Sequence, residues 1–297
     1  MLKNRLTAVV LAIIALLLTS CELLYGPEQP TGQQTGILWQ IERAGLRPSY
    51  LLGTIHSDDS RVIDIPAIIR QKLRQADSFS AELKMDPLSM QEGSRLMFLP
   101  PGQTLVSLIG KQRYQRCVTL LAGYGVPDQV LQRMKPWALV VTLSMPKSRS
   151  GIVLDQWLYQ QAEQQGKKTY GLETTREQTA IFESFSLQQQ LVMLDDAIKE
   201  FNRLPMLFDD LLHYYLQRDL TGLQHSSEKY MLQGDGMVAR QFKQKALLDR
   251  NHLMVRRMQP RLLEGNSFIA VGALHLPGEE GILRLLQRQG YRVTPVY

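Results

Sequence analysis

Two stretches, LLGTIH at residues 51–56 and IAVGALH at residues 269–275, decide how the chain is interpreted. Each is an apolar run typical of a buried strand, and each closes in Gly-x-x-His before a polar turn and a helical pattern. A histidine at the carboxyl end of such a strand points into the crevice where open α/β folds bind ligands. The sequence therefore predicts one composite site around His56 and His275. The alternative is that both are ordinary strand-end histidines whose hydrogen bonds the fold satisfies.

Outward from these stretches, alternating and helical apolar patterns predict two β-α-β units. The first has strands at 37–42 and 49–56, a helix at 65–76 and a strand at 79–83. The second has a strand at 268–273, a helix at 281–289 and a strand at 291–296. The right-handed crossover rule makes each returning strand parallel to its partner.

The middle of the chain shows apolar faces at helical spacing, interrupted by one predicted strand at 168–172. The predicted helices are 105–121, 137–143, 154–164, 176–182, 187–202, 207–217, 223–231, 237–247 and 249–263. The predicted fold class is α/β or α+β, with a small sheet from the two β-α-β units and a large helical middle. We expect a single domain over residues 36–297, with a helical insertion at about 84–265.

The N-terminus has the pattern of a lipoprotein signal. Lys3 and Arg5 precede an apolar run at residues 6–18, and Leu18-Thr19-Ser20-Cys21 is similar to a bacterial lipobox. We expect residues 1–20 to be removed and Cys21 to carry lipid, with residues 21–35 as a flexible tether rich in Pro, Gly and Gln. The alternatives are a plain secretory signal or an N-terminal anchor helix. Glu22 indicates the outer membrane, facing the periplasm, if the host is Gram-negative.

Composition excludes several classes of function. The net charge is +6, but lysines and arginines alternate with acids along the helices, so we expect no nucleic-acid partner. Once Cys21 carries lipid, only Cys117 remains, which allows no internal disulfide and is predicted to fill the core. The chain has no HExxH helix, no GxSxG elbow and no phosphate-binding glycine loop.

Carboxylates at two further strand ends suit a metal or acid–base site. Glu82 closes FSAE and Glu173 closes TYGLE. Carboxylates that are merely solvated in a loop are equally common at such positions. Two histidines and two glutamates can form an N/O metal site, with one carboxylate left as general base. Strand-end ligands of this kind are expected to be partly exposed. Asp155 lies at a helix start, where an acidic residue can serve as a cap without any functional role. Arg250 lies on a long helix, where its side chain can simply be solvated.

Five stretches together resemble the TraB/GumN (Tiki) family and follow the family's order. They are LLGTIHSDD at 51–59, SFSAEL at 78–83, LDQWLYQQAEQQGKKTYGLETTREQ at 154–178, DRNHLM at 249–254 and VGALHLPGEEGILRLLQRQGYRV at 271–293.

The resemblance implies a metal-dependent hydrolase, since animal Tiki members resemble membrane-anchored proteases that use Mn²⁺ or Co²⁺. It also implies a distant relation to erythromycin-esterase-like folds. By this resemblance His56 and His275 occupy the two Gly-x-x-His positions, and Glu82 and Glu173 the acidic ones. Asp155, Gln178 and Arg250 match polar positions near them.

Our interpretation from sequence is a lipid-anchored, periplasm-facing, protease-like metal hydrolase. His56, His275 and one glutamate, assigned as Glu173, would bind a divalent ion (Mn, Co or Zn). The other glutamate would activate water, and Arg250 would stabilise the oxyanion. Two alternatives stay open: a lipoprotein that binds a peptide or envelope fragment without catalysis, and a scaffold acting through its helical middle.

Overall fold

A computed structural model describes residues 34–146, 151–231 and 236–297. The predicted signal sequence, Cys21 and most of the predicted tether lie outside the described residues. No helix among the described residues is both long and apolar enough to cross a membrane.

In the described residues, six strands form one mixed sheet in the order β4-β3-β5-β2-β1-β6. They are β1 Leu38–Glu42, β2 Ser49–Thr54, β3 Ser78–Leu83, β4 Lys168–Glu173, β5 Ser267–Gly272 and β6 Arg292–Pro295. β2, β5, β3 and β4 run parallel, and β1 is antiparallel to both β2 and β6. The predicted α/β (α+β) class is therefore confirmed.

The strand order differs from the order expected for two separate β-α-β units. The returning strands β3 and β6 do run in the same direction as β2 and β5, as predicted. However, β5 from the C-terminal unit lies between β2 and β3, and β1 lies between β2 and β6. The two units are thus interleaved in one sheet, and the two Gly-x-x-His stretches become neighbours.

Fifteen α-helices surround and extend the sheet in the described part of the chain. They are α1 Ser60–Ile63, α2 Ala67–Gln75, α3 Pro87–Leu96, α4 Leu105–Ile109, α5 Lys111–Leu121, α6 Asp128–Leu131, α7 Pro136–Leu143, α8 Leu154–Gln164, α9 Thr175–Glu183, α10 Leu187–Glu200, α11 Leu204–Leu216, α12 Leu220–Met231, α13 Gly236–Lys243, α14 Asp249–Glu264 and α15 Ile282–Arg288. A π-helical turn, Gln244–Leu248, joins α13 to α14, and Ala273–His275 is a 3₁₀ turn.

Local sequence explains most helix boundaries. Asp86 caps α3, with Pro87 at its first position, and Thr174 forms a capping box with Glu177 at the start of α9. The predicted helix at 105–121 is wrong as one element, because Gly110 has a positive φ of 81° and separates α4 from α5. α3 lies within the predicted helical insertion, although it is not among the individual helices predicted there.

Among the residues that the structure describes, buried side chains form two hydrophobic cores. One surrounds the sheet and includes Phe79 and Phe268, whose stacked rings lie 6.2 Å apart between centroids. The other fills the helical middle, where Trp137 stacks on Phe182 at 5.3 Å. Cys117 is fully buried in this second core, as predicted, and burial raises the pKa of its thiol to about 12. The predicted insertion at about 84–265 includes β4, which is a strand of the sheet, and α14, which packs against the sheet.

Candidate active site

The carboxyl ends of four parallel strands place the candidate residues at one edge of the sheet. Glu82 is the penultimate residue of β3, and Glu173 ends β4. His275 follows β5 by three residues, and His56 follows β2 by two. This edge is where open α/β sheets form their ligand crevices.

Arg250, at the start of α14, holds both glutamates. Its Nη2 donates to Glu82 Oε2 at 2.7 Å and to Glu173 Oε2 at 2.6 Å, and its Nε donates to both oxygens of Glu173 at 3.0 Å. The Arg250 side chain is 3% exposed and that of Glu173 is 1% exposed. We call Glu82, Glu173, Arg250 and His275 the buried charge network.

The π-helical turn before α14 completes the contacts of Arg250. Nη1 of Arg250 donates to the backbone carbonyl of Ala246, within that turn, at 3.0 Å, and contacts His275 Nε2 at 3.0 Å. π-turns often occur at functional sites. All five N–H groups of the Arg250 guanidinium therefore have acceptors inside the protein. The oxyanion role predicted for Arg250 from sequence would need one of these N–H groups to be released.

His275 is held as a neutral imidazole in one tautomer. A guanidinium only donates, so Nε2 of His275 must accept from Arg250 and the ring proton must lie on Nδ1. Nδ1 then donates to Asn251 Oδ1 at 2.6 Å, and Asn251 Nδ2 donates to the backbone carbonyl of Glu280 at 2.7 Å. Burial and the positive charge of Arg250 lower the pKa of His275 to about 3. The ring is therefore uncharged at neutral pH.

Glu82 stays ionised despite partial burial. Burial raises its pKa, but the charge of Arg250 and the hydrogen bonds from Arg250 and from the backbone N–H of Gly272 outweigh that effect and lower the pKa to about 2. The Gly272 N–H donates to Glu82 Oε1 at 2.7 Å. A Cβ at position 272 would lie 3.2 Å from the same oxygen. Glycine in the second Gly-x-x-His stretch thus allows the carboxylate to approach the backbone.

Gln178, on α9, links the two carboxylates. Its Nε2 donates to Glu173 Oε2 at 3.1 Å and to Glu82 Oε2 at 3.4 Å, and the residue is 3% exposed. The capping box of Thr174 and Glu177 fixes the start of α9 and so the direction of Gln178. Gln178 is therefore part of the same network, although sequence alone assigned it only by family resemblance.

His56 belongs to a second group of contacts, with Asp155 and Thr54. His56 Nδ1 lies 3.7 Å from Asp155 Oδ2, and Thr54 Oγ1 donates to Asp155 Oδ1 at 2.6 Å. The side chains of His56 and Asp155 are 10% and 22% exposed. Thr54 and Gly272 are paired in the sheet, so this group lies one strand away from the contact between Gly272 and Glu82.

The expectation that both strand-end histidines are partly exposed is wrong for His275, which is 2% exposed, and holds for His56. Asn251 was missed by sequence analysis. The available signal was its place beside Arg250 in the DRNHLM stretch, but no spacing rule marks an asparagine as the partner of a distant histidine.

A divalent metal does not fit the buried charge network as it is arranged. A metal needs free lone pairs, but Nε2 of His275 accepts from Arg250 and both glutamates bind the guanidinium. Arg250 already supplies the positive charge between the two carboxylates. Across residues 34–146, 151–231 and 236–297, no three His, Cys, Asp or Glu side chains are grouped to hold an ion.

A family model described as the TraB/PrgY/gumN family matches residues 37–295. The chain belongs to this family. The match includes every residue of the buried charge network and of the group around His56. The predicted resemblance is thereby confirmed.

The chain is also similar, at low sequence identity, to individual proteins. The chain is 27% identical to "Metalloprotease TIKI1" of Danio rerio over 91% of the chain and 66% of that protein. It is 27% identical to "Metalloprotease TIKI2" of Danio rerio over 90% of the chain and 62% of that protein. It is 22% identical to "Uncharacterized protein YbaP" of Escherichia coli over 83% of the chain and 90% of that protein. The chain thus spans somewhat under two thirds of the TIKI proteins' length. No solved structure matches it significantly.

Proposed function

We propose that the chain is a protease-like hydrolase whose site lies at the carboxyl edge of β2, β5, β3 and β4. The observation that carries this proposal is the buried charge network, because burying two carboxylates and a guanidinium is costly and such groups concentrate at functional sites. The relatives named metalloproteases support hydrolysis of a peptide bond over other reactions.

The proposed reaction adds water to a peptide carbonyl. A base removes a proton as the water oxygen bonds to the carbonyl carbon, and the proton passes to the leaving nitrogen as the C–N bond breaks. Glu82 and Glu173 were the base candidates from sequence. Both accept hydrogen bonds from Arg250, which occupy their carboxylate oxygens, so we assign them to holding Arg250 and shaping the site.

A divalent metal as cofactor is supported by the names of the relatives alone. The engagement of Glu82, Glu173 and His275 by Arg250 favours water activation by a protein base. If a metal is used, Arg250 must first release these side chains.

We further propose, from the sequence, that the protein is anchored through acylated Cys21 and faces the periplasm. The support is the lipobox-like sequence before Cys21 and the flexible composition of residues 22–35. A peptide is the proposed substrate class, because the proposed reaction cleaves a peptide bond.

A second candidate is a non-catalytic binding lipoprotein. The observation that favours it is that every N–H of Arg250 is satisfied within the protein, which is also what a purely structural ion network shows. In that case the same edge of the sheet would bind its ligand without turnover.

The test is hydrolysis of a casein peptide mixture by the full-length protein in detergent, together with elemental analysis of untagged protein. We expect cleavage by mass spectrometry, less than one equivalent of Mn, Co or Zn, and no loss of cleavage with a chelator. Stoichiometric metal with chelator-sensitive cleavage would support the metal hypothesis. Binding of peptides without any cleavage would support the second candidate.

A further inference from the structure

The two Gly-x-x-His histidines have different surroundings. His275 is 2% exposed, and both of its ring nitrogens are hydrogen-bonded. His56 is more exposed, and its Nδ1 faces Asp155. Because the two ring nitrogens point in different directions, the contact through Nδ1 directs Nε2 of His56 away from the carboxylate.

Asp155 is itself held in place for this contact. Thr54 Oγ1 donates to Oδ1 of Asp155 at 2.6 Å, which leaves Oδ2 towards His56. The separation of 3.7 Å is longer than a hydrogen bond, and hydrogen bonds between catalytic groups are often long until substrate binds. A carboxylate beside Nδ1 favours the proton on Nδ1 and keeps the lone pair on Nε2.

The position of His56 brings it to the buried charge network without joining it. β2 and β5 are parallel neighbours, and Thr54 is paired with Gly272, whose N–H binds Glu82. Neighbouring strands lie about 4.8 Å apart. In the proposed reaction the substrate carbonyl would bind at this edge, between Glu82 and His56.

Resting on the proposed hydrolase function, we propose that His56, oriented by Asp155, is the general base, and that His275 is a positioning residue that holds Arg250. In the forward step Nε2 of His56 takes the proton of water as the oxygen bonds to the carbonyl carbon. In the second step the imidazolium returns that proton to the leaving nitrogen as the C–N bond breaks. His275 keeps its tautomer throughout and touches no reacting atom.

The experiment is ¹⁵N NMR of the full-length protein in detergent, labelled at histidine, since ¹⁵N shifts separate protonated from unprotonated ring nitrogens. Signals are assigned with single His→Gln variants. We expect His56 to carry its proton on Nδ1 and to lose this preference in Asp155→Ala. In the same variant the His275 shifts should stay unchanged, which shows that the fold and the buried charge network are intact. The proposal would be overturned if wild-type His56 carried its proton on Nε2, or if its tautomer did not change in Asp155→Ala.

Hydrolysis of the casein peptide mixture gives the second readout. His56→Gln and Asp155→Ala should lower kcat by about 100-fold or more with KM little changed, which is the usual effect of losing a general base. His213→Gln, at an exposed position on α11, is the matched control and should retain full activity. Activity of His56→Gln within about tenfold of wild type would reject the base assignment while leaving the hydrolase function standing.

The two proposals fail in distinguishable ways. If the wild type cleaves no peptide, the hydrolase function is rejected. The tautomer of His56 then tests only whether Asp155 orients the His56 ring. In His275→Gln, His56 should keep its proton on Nδ1. In a sample labelled at arginine, the Nη1 protons of Arg250 in this variant should exchange with water faster than in wild type, because one of them loses its acceptor. A shift of the His56 tautomer in that variant would contradict the separate role of His275.

Discussion

Arg250 neutralises the buried carboxylates, and the stability of the site depends on it. Its replacement by methionine keeps most of the side-chain volume but leaves Glu82 and Glu173 without their shared cation. We expect Arg250→Met to lower the free energy of unfolding by about 3–5 kcal/mol, as for other buried ion pairs with one partner removed. The measurement is urea denaturation.

The matched control is Arg176→Met, because Arg176 pairs with Glu92 at the surface and the two side chains are 70% and 41% exposed. We expect a change below about 1 kcal/mol there. Equal effects of the two variants would show that the buried charge network contributes no more than a surface pair.

The two histidines should also differ in what they contribute to folding. His275→Ala leaves one Nη1 N–H of Arg250 and Oδ1 of Asn251 without a partner in a buried place. The expected loss is about 1–3 kcal/mol per unsatisfied group, whereas His56→Ala removes a partly exposed ring with one long contact and should cost less. Thermal denaturation compares them. A larger loss for His56→Ala would contradict this assignment.

At the scale of elements, Arg257 on α14 fastens the end of β4 to the start of α9. It donates to Glu177 Oε1 at 2.6 Å, to Glu177 Oε2 at 2.7 Å and to the backbone carbonyl of Leu172 at 2.9 Å. Glu173 lies between these contact points. This ion pair therefore fixes the strand–helix junction from which Glu173 and Gln178 enter the site.

The junction should be sensitive to acid. The hydrogen bond from Arg257 is the main reason that the pKa of Glu177 falls to about 2 from an ordinary value of 4.5. The folded pKa lies below the unfolded one, so the stabilisation is complete above about pH 4.5 and disappears as the pH falls towards 2.

We expect Glu177→Gln to be less stable than wild type at pH 6, with the difference shrinking between pH 5 and pH 2. Urea denaturation across this range measures it. Glu163→Gln, at an exposed position of α8, should show a much smaller difference. A difference between wild type and Glu177→Gln that stays constant with pH would exclude ionisation of Glu177 as the cause.

At the scale of the whole molecule, the proposed anchor and the proposed site make separate predictions. Cys21→Ser should abolish lipid attachment and move the protein from the detergent phase to the aqueous phase, or leave residues 1–20 uncleaved. Phase partitioning and intact mass measure both. Unchanged partitioning of a Cys21→Ser protein that has lost residues 1–20 would refute the lipid anchor, while hydrolysis by that variant should equal that of wild type.

The sequence alone determined which residues end the buried strands. Alternation of apolar and polar residues is a local property, so His56, Glu82, Glu173 and His275 could be placed at strand ends, and the α/β (α+β) class followed. Helix caps are local as well, and most predicted helices lie within a few residues of the observed ones. Gly110 is the informative failure, because a positive φ is not visible in an apolar pattern.

Only the tertiary structure decided which of these residues bind one another. β5 enters the sheet between β2 and β3, an order that no local pattern encodes. Arg250 lies 77 residues from Glu173 and 168 from Glu82 along the chain, so its selection as their shared cation depends on how α14 packs on the sheet. The separate surroundings of His56 and His275 have the same origin. Hydrogen-bond partners are chosen by distance and direction in space, and the sequence specifies these only through the completed fold.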